Sequence, residues 1–61
     1  MNQLLSIKEA ATFLNLSPYT LRIWTFQRRI PFVRLGRRVA FRKEDLEDLV
    51  EKNVVEAKER G

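Results

Sequence analysis

The hydrophobic residues near the start of the chain recur at the spacing of one helical face. They stand at positions i, i+3, i+4 and i+7, and they are Ile7, Ala10, Ala11 and Leu14. Ser6 comes directly before this face, and Glu9 comes three residues after Ser6. This is the arrangement of a capping box. The pattern predicts a first helix over about residues 7–14.

A second helix is predicted directly after the first. Asn15 tolerates a left-handed backbone and suits the end of the first helix, and Leu16 can pack under the turn. Ser17 is a favourable N-cap, and Pro18 suits the first helical position because its missing N–H costs nothing there. This helix should run to residue 27 or 28. Two short helices joined in this way are a helix-turn-helix candidate, although a plain helical hairpin remains open.

The segment after Pro31 alternates between apolar and basic residues, which predicts two short strands. Gly36 can supply the positive φ of a tight turn between them. We expect one apolar face to pack on the helices and the arginines of the other face to point outward. The expected inner face holds Val33, Leu35, Val39 and Phe41. The expected outer face holds Phe32, Arg34, Arg38, Ala40 and Arg42.

The last third of the chain predicts a third helix with an acidic start. Its apolar residues lie at helical spacing and are Leu46, Leu49, Val50, Val54 and Ala57. We expect this helix to begin near Lys43, to reach Val50 and to thin out beyond Asn53, with the end at Gly61 frayed. Together the elements predict one α+β domain, mostly α: a small winged helix-turn-helix with a two-stranded β-hairpin wing, a C-terminal helix and a core over about residues 4–52.

The composition excludes most kinds of catalysis. The chain has no cysteine and no histidine, so it has no thiol nucleophile and no disulfide, and it lacks the commonest general base and zinc ligand. A chain of 61 residues also buries only about 60% of its unfolded surface, which leaves little room for a deep substrate cavity. We therefore expect no enzyme, no cofactor and no metal site. Neither a signal sequence nor a membrane span is visible, so a cytoplasmic location without a membrane partner is expected.

Charge is sorted along the chain. Residues 1–42 carry eight Lys or Arg and one acid, a net +7, whereas residues 43–61 carry four bases and seven acids, a net −3. Seven arginines lie between Ser17 and Leu46, where the first acid is Glu44. A basic body predicts a polyanionic partner such as a nucleic acid, and the acidic end is free for something else. An unevenly charged, solvated surface is the alternative interpretation.

Two stretches of the chain resemble the small MerR-like winged-helix domains of the excisionase family, which are also found in phage regulators of the AlpA type. These stretches are "LLSIKEAATFLNLSPYTLRIW" and "IPFVRLGRRVAFRKEDLEDLV", within about residues 4–50. The resemblance implies a phage or mobile-element protein that binds double-stranded DNA and assists an integrase in excision, or regulates a promoter. It implies a bacterial or phage-infected cell and a place at the nucleoid. Relatives usually carry glycine near Arg28 and a basic or polar residue at Ala40, so the turn and the second wing strand are expected to differ.

The second helix is expected to enter the major groove of DNA. Its spacing directs Leu21, Trp24 and Thr25 inward. The opposite, outer face holds Tyr19, Arg22, Ile23 and Phe26, and it is expected to serve recognition. Phe26 comes late in the helix and is expected to pack beside Phe32 under the wing. All residues expected to contact DNA are Ser17, Tyr19, Thr20, Arg22, Ile23, Arg28, Arg29, Arg34, Arg37 and Arg38.

The expected contacts differ in kind. Arg22 would fork to a guanine or clamp phosphate, Tyr19 and Thr20 would donate to phosphate, and Ile23 would meet a thymine methyl group. For Tyr19 and Ile23, packing against another protomer is the alternative.

The arginines of the wing and of the elbow before it are expected to grip DNA from the side. Arg37 and Arg38, at the tip, would enter a minor groove or hold phosphate, because guanidinium geometry and the groove potential favour arginine. Arg34 would contact the backbone alongside. Arg28 and Arg29, at the elbow, would meet phosphate between the two grooves.

Two further expectations concern the third helix. Arg42 is a candidate to pair with the acids that open this helix instead of binding DNA. The acidic outer face, with Glu47, Asp48 and Glu51, is expected to be free for an integrase or recombinase, or for further copies of the chain on adjacent DNA sites. Plain solvation of these acids is the alternative.

Three functions remain open from the sequence. The first is an excisionase-type recombination directionality factor that shapes DNA for an integrase. The second is a small phage or mobile-element transcriptional regulator with the same fold. The third is a protein-interaction module of the antitoxin type.

Overall fold

The first two helices begin as their cap residues predict, and α1 also ends as predicted, whereas α2 ends at Phe26, one or two residues before the predicted position. The computed structural model describes residues 3–58 and gives the order β1 (Leu4–Leu5), α1 (Ile7–Leu14), α2 (Pro18–Phe26), β2 (Val33–Leu35), β3 (Arg38–Arg42) and α3 (Lys43–Lys52). Three helices and a small antiparallel sheet make an α+β winged helix-turn-helix fold, as the sequence predicted. The predicted fraying at Gly61 lies outside the described residues.

The turn between α1 and α2 is held by side-chain and backbone caps. The capping box is present: Ser6 Oγ accepts from the N–H of Glu9 at 3.1 Å, and the N–H of Ser6 donates to Glu9 Oε1 at 2.9 Å. At the other end Asn15 has φ 58°, and the N–H of Leu16 donates to the carbonyl of Ala11 at 2.9 Å. This bond satisfies a carbonyl that the helix end leaves free and turns the chain directly into α2.

The sheet contains a strand that the sequence analysis missed. Its order is β1-β3-β2, and both pairings are antiparallel. In β1, Leu5 pairs with Phe41 and is buried, and Leu4 pairs with Arg42. The predicted two-stranded wing is therefore anchored to the rest of the domain through a short third strand at the N-terminal end.

The predicted faces of the hairpin were right for β3 but wrong for residues 32–35. The paired residues are Val33 with Ala40, Arg34 with Val39, and Leu35 with Arg38. Directly paired residues of an antiparallel sheet lie on the same face, and a turn of two residues joins Leu35 to Arg38. The inner face therefore holds Phe32, Arg34, Val39 and Phe41. The outer face holds Val33, Leu35, Arg38, Ala40 and Arg42, and Leu35 is 53% exposed.

The core is small and draws on all three helices and on β1 and β3. Leu21 of α2, Phe41 of β3 and Leu46 of α3 are each fully buried. The other buried apolar residues are Leu5, Ala10, Ala11 and Ile30. Thr25 is buried as predicted, and its hydroxyl donates to the carbonyl of Leu21 at 2.8 Å, so no polar group is left unpaired there.

Helix α3 matches its predicted start and length. It begins at Lys43 and ends at Lys52, and Asn53 Nδ2 then donates to the carbonyl of Leu49 at 2.8 Å. The stretch from residue 54 to 58 is exposed and has no regular secondary structure. Among residues 3–58, no helix has the length and apolar character needed to cross a membrane.

Candidate nucleic-acid interface

Three arginines, from α2, the turn after it and β2, line one cleft between α2 and the hairpin. They are Arg22, Arg28 and Arg34, and we call this space the arginine cleft. It measures about 320 Å³. The remaining lining residues are Ile7, Thr25, Phe26, Phe32 and Val39. The cleft therefore combines an apolar floor with a basic rim.

Each of these arginines reaches the cleft for a different structural reason. Arg22 is exposed on α2, beside the buried Thr25 that lies one helical turn further along the same cleft. Arg34 lies there because the two-residue turn places it on the inner face of the hairpin. Arg28 lies there because the chain reverses direction at that residue, directly after α2.

The chain reverses direction at Arg28, the position near which glycine was expected. Arg28 itself adopts the left-handed conformation, with φ 59°. Its N–H donates to the carbonyl of Thr25 at 3.0 Å, and the N–H of Arg29 donates to the carbonyl of Trp24 at 2.9 Å. These two bonds are those of a Schellman motif, which glycine usually completes. The chain thus keeps a cation at a position where glycine would be less strained.

The charges of the arginine cleft are not neutralised from within the domain. Across the part of the chain that the structure describes, no carboxylate lies within 4.0 Å of these three guanidinium groups. The ion pairs found there instead involve Arg42 and Lys52. A planar guanidinium without an internal partner is suited to bind phosphate or the edge of a guanine.

The N-terminal half of α2 presents its predicted contact residues to solvent. Tyr19 is 73% exposed, and Arg22 and Ile23 are also exposed. Ser17 and Thr20 serve the helix cap: Ser17 Oγ accepts from the N–H of Thr20 at 3.1 Å and donates to Thr20 Oγ1 at 3.0 Å. The first turn of α2 carries no acid, so the positive end of the helix dipole is uncompensated.

The other predicted arginines do not join the cleft. The guanidinium carbon of Arg29 lies over the ring of Trp24, 4.7 Å from its centroid, in a second cleft that α2 shares with α3. Arg38 lies on the outer face of the hairpin, and Arg37 is exposed in its turn. Trp24 is half-buried and packs against the core, in line with its predicted inward direction.

Phe26 does not pack under the wing, and that prediction was wrong. It is the last residue of α2 and is 89% exposed. Phe26 and Phe32 both line the arginine cleft, but the hairpin leaves the ring of Phe26 uncovered. A signal was present in the sequence, since Phe26 follows Arg22 by four residues and so shares its outward face.

Arg42 binds the acids that open α3. Its Nε and Nη2 donate to the two carboxylate oxygens of Asp45 at 2.7 and 3.0 Å, and Nη1 lies 3.5 Å from Glu44 Oε2. The hydrogen bond and the negative charge of Asp45 raise the pKa of Arg42. This arginine is therefore occupied by the fold, which confirms one of the two expectations for it.

Comparison with known proteins agrees with this architecture. The family described as helix-turn-helix domain matches residues 4–54. The transcriptional repressor DcmR of Methylorubrum extorquens is 48% identical over 46 aligned residues, which cover 72% of this chain but only 17% of the repressor. No solved structure matches significantly. The family match includes all six elements of the fold, and the chain belongs to the helix-turn-helix domain family, a family of DNA-binding domains.

Proposed function

We propose that this chain binds double-stranded DNA with α2 in the major groove and the arginine cleft against the phosphate backbone, without catalysing a reaction. The observation that carries the proposal is the convergence of Arg22, Arg28 and Arg34 on one cleft, where no carboxylate of residues 3–58 lies within 4.0 Å of them. Three uncompensated guanidinium groups on an open surface are suited to a polyanion.

The parts of the surface would play different roles on DNA. Arg22 points outward from the middle of α2 and would reach base edges, where arginine bonds the O6 and N7 atoms of guanine. Arg28 and Arg34 stand to the side and would hold phosphate, which positions the domain without reading sequence. The positive end of α2, whose first turn carries no acid, has Tyr19 beside it and would receive another phosphate.

The hairpin extends the contact beyond one groove. Arg37 is exposed in its turn and would reach the neighbouring minor groove, whose negative potential attracts arginine. A helix in one groove and a turn in the next would favour a bent duplex. Arg38 and Arg29 remain predicted DNA contacts, although neither lies in the arginine cleft.

Regulation of transcription is the role that the comparison favours. The relative that is 48% identical over the shared segment is named a transcriptional repressor, and that segment contains most of this chain. A domain that occupies an operator can block a promoter by position alone. We therefore propose promoter control as the first biological role.

An excisionase-type role as a recombination directionality factor is the second candidate. It is supported by the two stretches that resemble excisionases and by the bending that a helix and a wing together would cause. The same DNA-binding surface serves both roles, and the partner differs. For this role we propose that the outer face of α3, with the exposed Glu47 and Glu51, contacts an integrase or the basic surface of an adjacent copy.

Salt dependence tests the proposed DNA binding. If about four to six phosphates are neutralised, the logarithm of the association constant should fall with the logarithm of salt concentration at a slope of roughly −4 to −5. Fluorescence anisotropy with a labelled duplex from the region flanking the gene measures this slope. A slope near zero would count against DNA as the partner and would favour a protein-interaction module of the antitoxin type.

Two assays on the same DNA separate the biological roles. A promoter fusion measures repression in the absence of any recombinase, and an excision assay measures recombination with the neighbouring integrase. Arg22→Ala should abolish whichever activity is present. Lys8→Ala is the matched control, because Lys8 is an exposed cation on α1 that lines neither cleft. Repression without an effect on excision would remove the excisionase role.

A further inference from the structure

Phe26 is an exposed aromatic residue, and the stability of the domain does not explain its exposure. Its side chain is 89% exposed, whereas Phe41 is fully buried and Phe32 is half-buried. A phenyl ring held in water gives up the free energy that its burial would contribute. The exposure of this ring therefore points to an external contact.

The position of Phe26 ties that contact to the proposed interface. Phe26 lies four residues after Arg22 on α2, so the two side chains are neighbours on one face of the helix. Both line the arginine cleft, together with Arg28 and Arg34. Whatever covers the ring must therefore also accept three guanidinium groups, which is a condition that DNA satisfies.

We propose that Phe26 contacts the 5-methyl group of a thymine in the major groove and makes this position of the DNA site specific. The inference rests on the proposed function, because it takes α2 to lie in that groove. A phenyl ring has no hydrogen-bond donor for phosphate, and the thymine methyl is the apolar group that the major groove offers. Ile23 was the residue first expected to make such a contact, but it is only 37% exposed.

The geometry of a helix also sets where this thymine must lie. Four residues advance an α-helix by about 6 Å, and successive base pairs are about 3.4 Å apart. When α2 follows the groove, the thymine lies within about two base pairs of the guanine bound by Arg22. Insertion of Phe26 between base pairs is less favourable, because such wedges enter through the minor groove and require unstacking.

The test begins with duplexes selected by the wild-type protein from a random pool. Each thymine of the selected site is then replaced by deoxyuridine, which removes only the methyl group, and affinity is measured by anisotropy. We expect one position, within about two base pairs of the Arg22-dependent guanine, to lose about fourfold in affinity, the effect of one buried methyl group. Phe26→Ala should lose this discrimination, whereas Phe13→Ala should keep it.

Phe13 is a suitable control because it is another partly exposed phenylalanine, lies on α1 and lines neither cleft. Circular dichroism should show equal thermal unfolding of Phe26→Ala and the wild type, since the ring is exposed. Equal thymine discrimination by Phe26→Ala and the wild type would overturn the inference, as would a selected site with no thymine in the stated range.

Two further readouts separate the possible failures. Placing 2-aminopurine in the selected site reports unstacking, and a fluorescence rise that Phe26→Ala abolishes would show insertion and overturn the methyl contact. If the wild type selects no sequence and shows no salt-dependent binding, the proposed function fails and the inference with it. Salt-dependent, sequence-selective binding with no Phe26-dependent position would overturn the inference alone.

Discussion

The guanidinium group of Arg42 holds both carboxylate oxygens of Asp45, with Nε to Oδ2 at 2.7 Å and Nη2 to Oδ1 at 3.0 Å. The pair joins the last residue of β3 to the first turn of α3. The backbone at Arg42 is extended, and its side chain makes no cap hydrogen bond to the helix. The ion pair thus fixes the junction between strand and helix that a serine or aspartate would otherwise cap.

Arg42→Ala should lower the free energy of unfolding and leave DNA affinity unchanged. The pKa of Arg42 is raised by Asp45, so the guanidinium stays charged at every pH at which the domain is expected to fold. The loss should shrink as salt rises, because the pair is exposed and screened. Urea unfolding at low and high salt measures both effects. Arg42→Lys should recover only part of the loss, since lysine keeps the charge but cannot bond both carboxylate oxygens as the guanidinium does. Full recovery would show that this two-bond geometry does not contribute.

Arg28→Gly should make the domain more stable and a weaker DNA binder. Glycine removes the strain of the left-handed residue, worth about 1 kcal/mol, but also removes a cation of the arginine cleft. Thermal unfolding and anisotropy measure the two effects separately. Arg28→Ala is the matched control, because it loses the charge and keeps the strain. Equal stability of the glycine and alanine variants would show that the turn is not strained.

Arg34→Ala should reduce the magnitude of the salt slope by about 1, the loss of one phosphate contact. Arg38→Ala should change the slope less, because Arg38 lies on the outer face of the same hairpin. Anisotropy titrations of both variants over the same range of salt make the comparison. If Arg38→Ala reduced the slope as much as Arg34→Ala, both faces of the hairpin would contact DNA.

Leu46→Ala should remove most of the stability of the domain. Leu46 is fully buried, and such a truncation costs about 2–5 kcal/mol. At about 0.05–0.15 kcal/mol per residue, a domain of 61 residues holds about 3–9 kcal/mol in total. Urea unfolding followed by Trp24 fluorescence measures the change. Val50→Ala on the exposed side of α3 is the control and should have little effect.

The helices could be predicted from the sequence because their signals are local. Ser6 with Glu9, and Ser17 with Pro18, mark the helix starts through bonds made within one turn. The helical spacing of apolar residues then predicted the helices, and the alternation of apolar and basic residues predicted the hairpin. Asn15 was correctly expected to take the left-handed conformation that ends α1.

The errors arose where the outcome depends on contacts between distant residues. β1 has two residues and exists because β3 offers an edge, so no pattern within Leu4–Leu5 could reveal it. The faces of the hairpin depend on the number of residues in its turn, which alternation on each side does not specify. Of the predicted contact residues, Arg22, Arg28 and Arg34 meet in one cleft, while Arg29 stacks on Trp24, a ring brought under it by the reversal after α2.

The two-residue turn of the hairpin has a consequence for how such domains diverge. Inserting or deleting a single residue there would shift the strand partners by one, and every side chain on one strand would change sides. Arg34 would then lie on the outer face of the hairpin, and Leu35 would face α2 in its place, with no substitution at either position. Among related chains, a change of length in this loop should therefore alter the preferred target more abruptly than most point changes nearby.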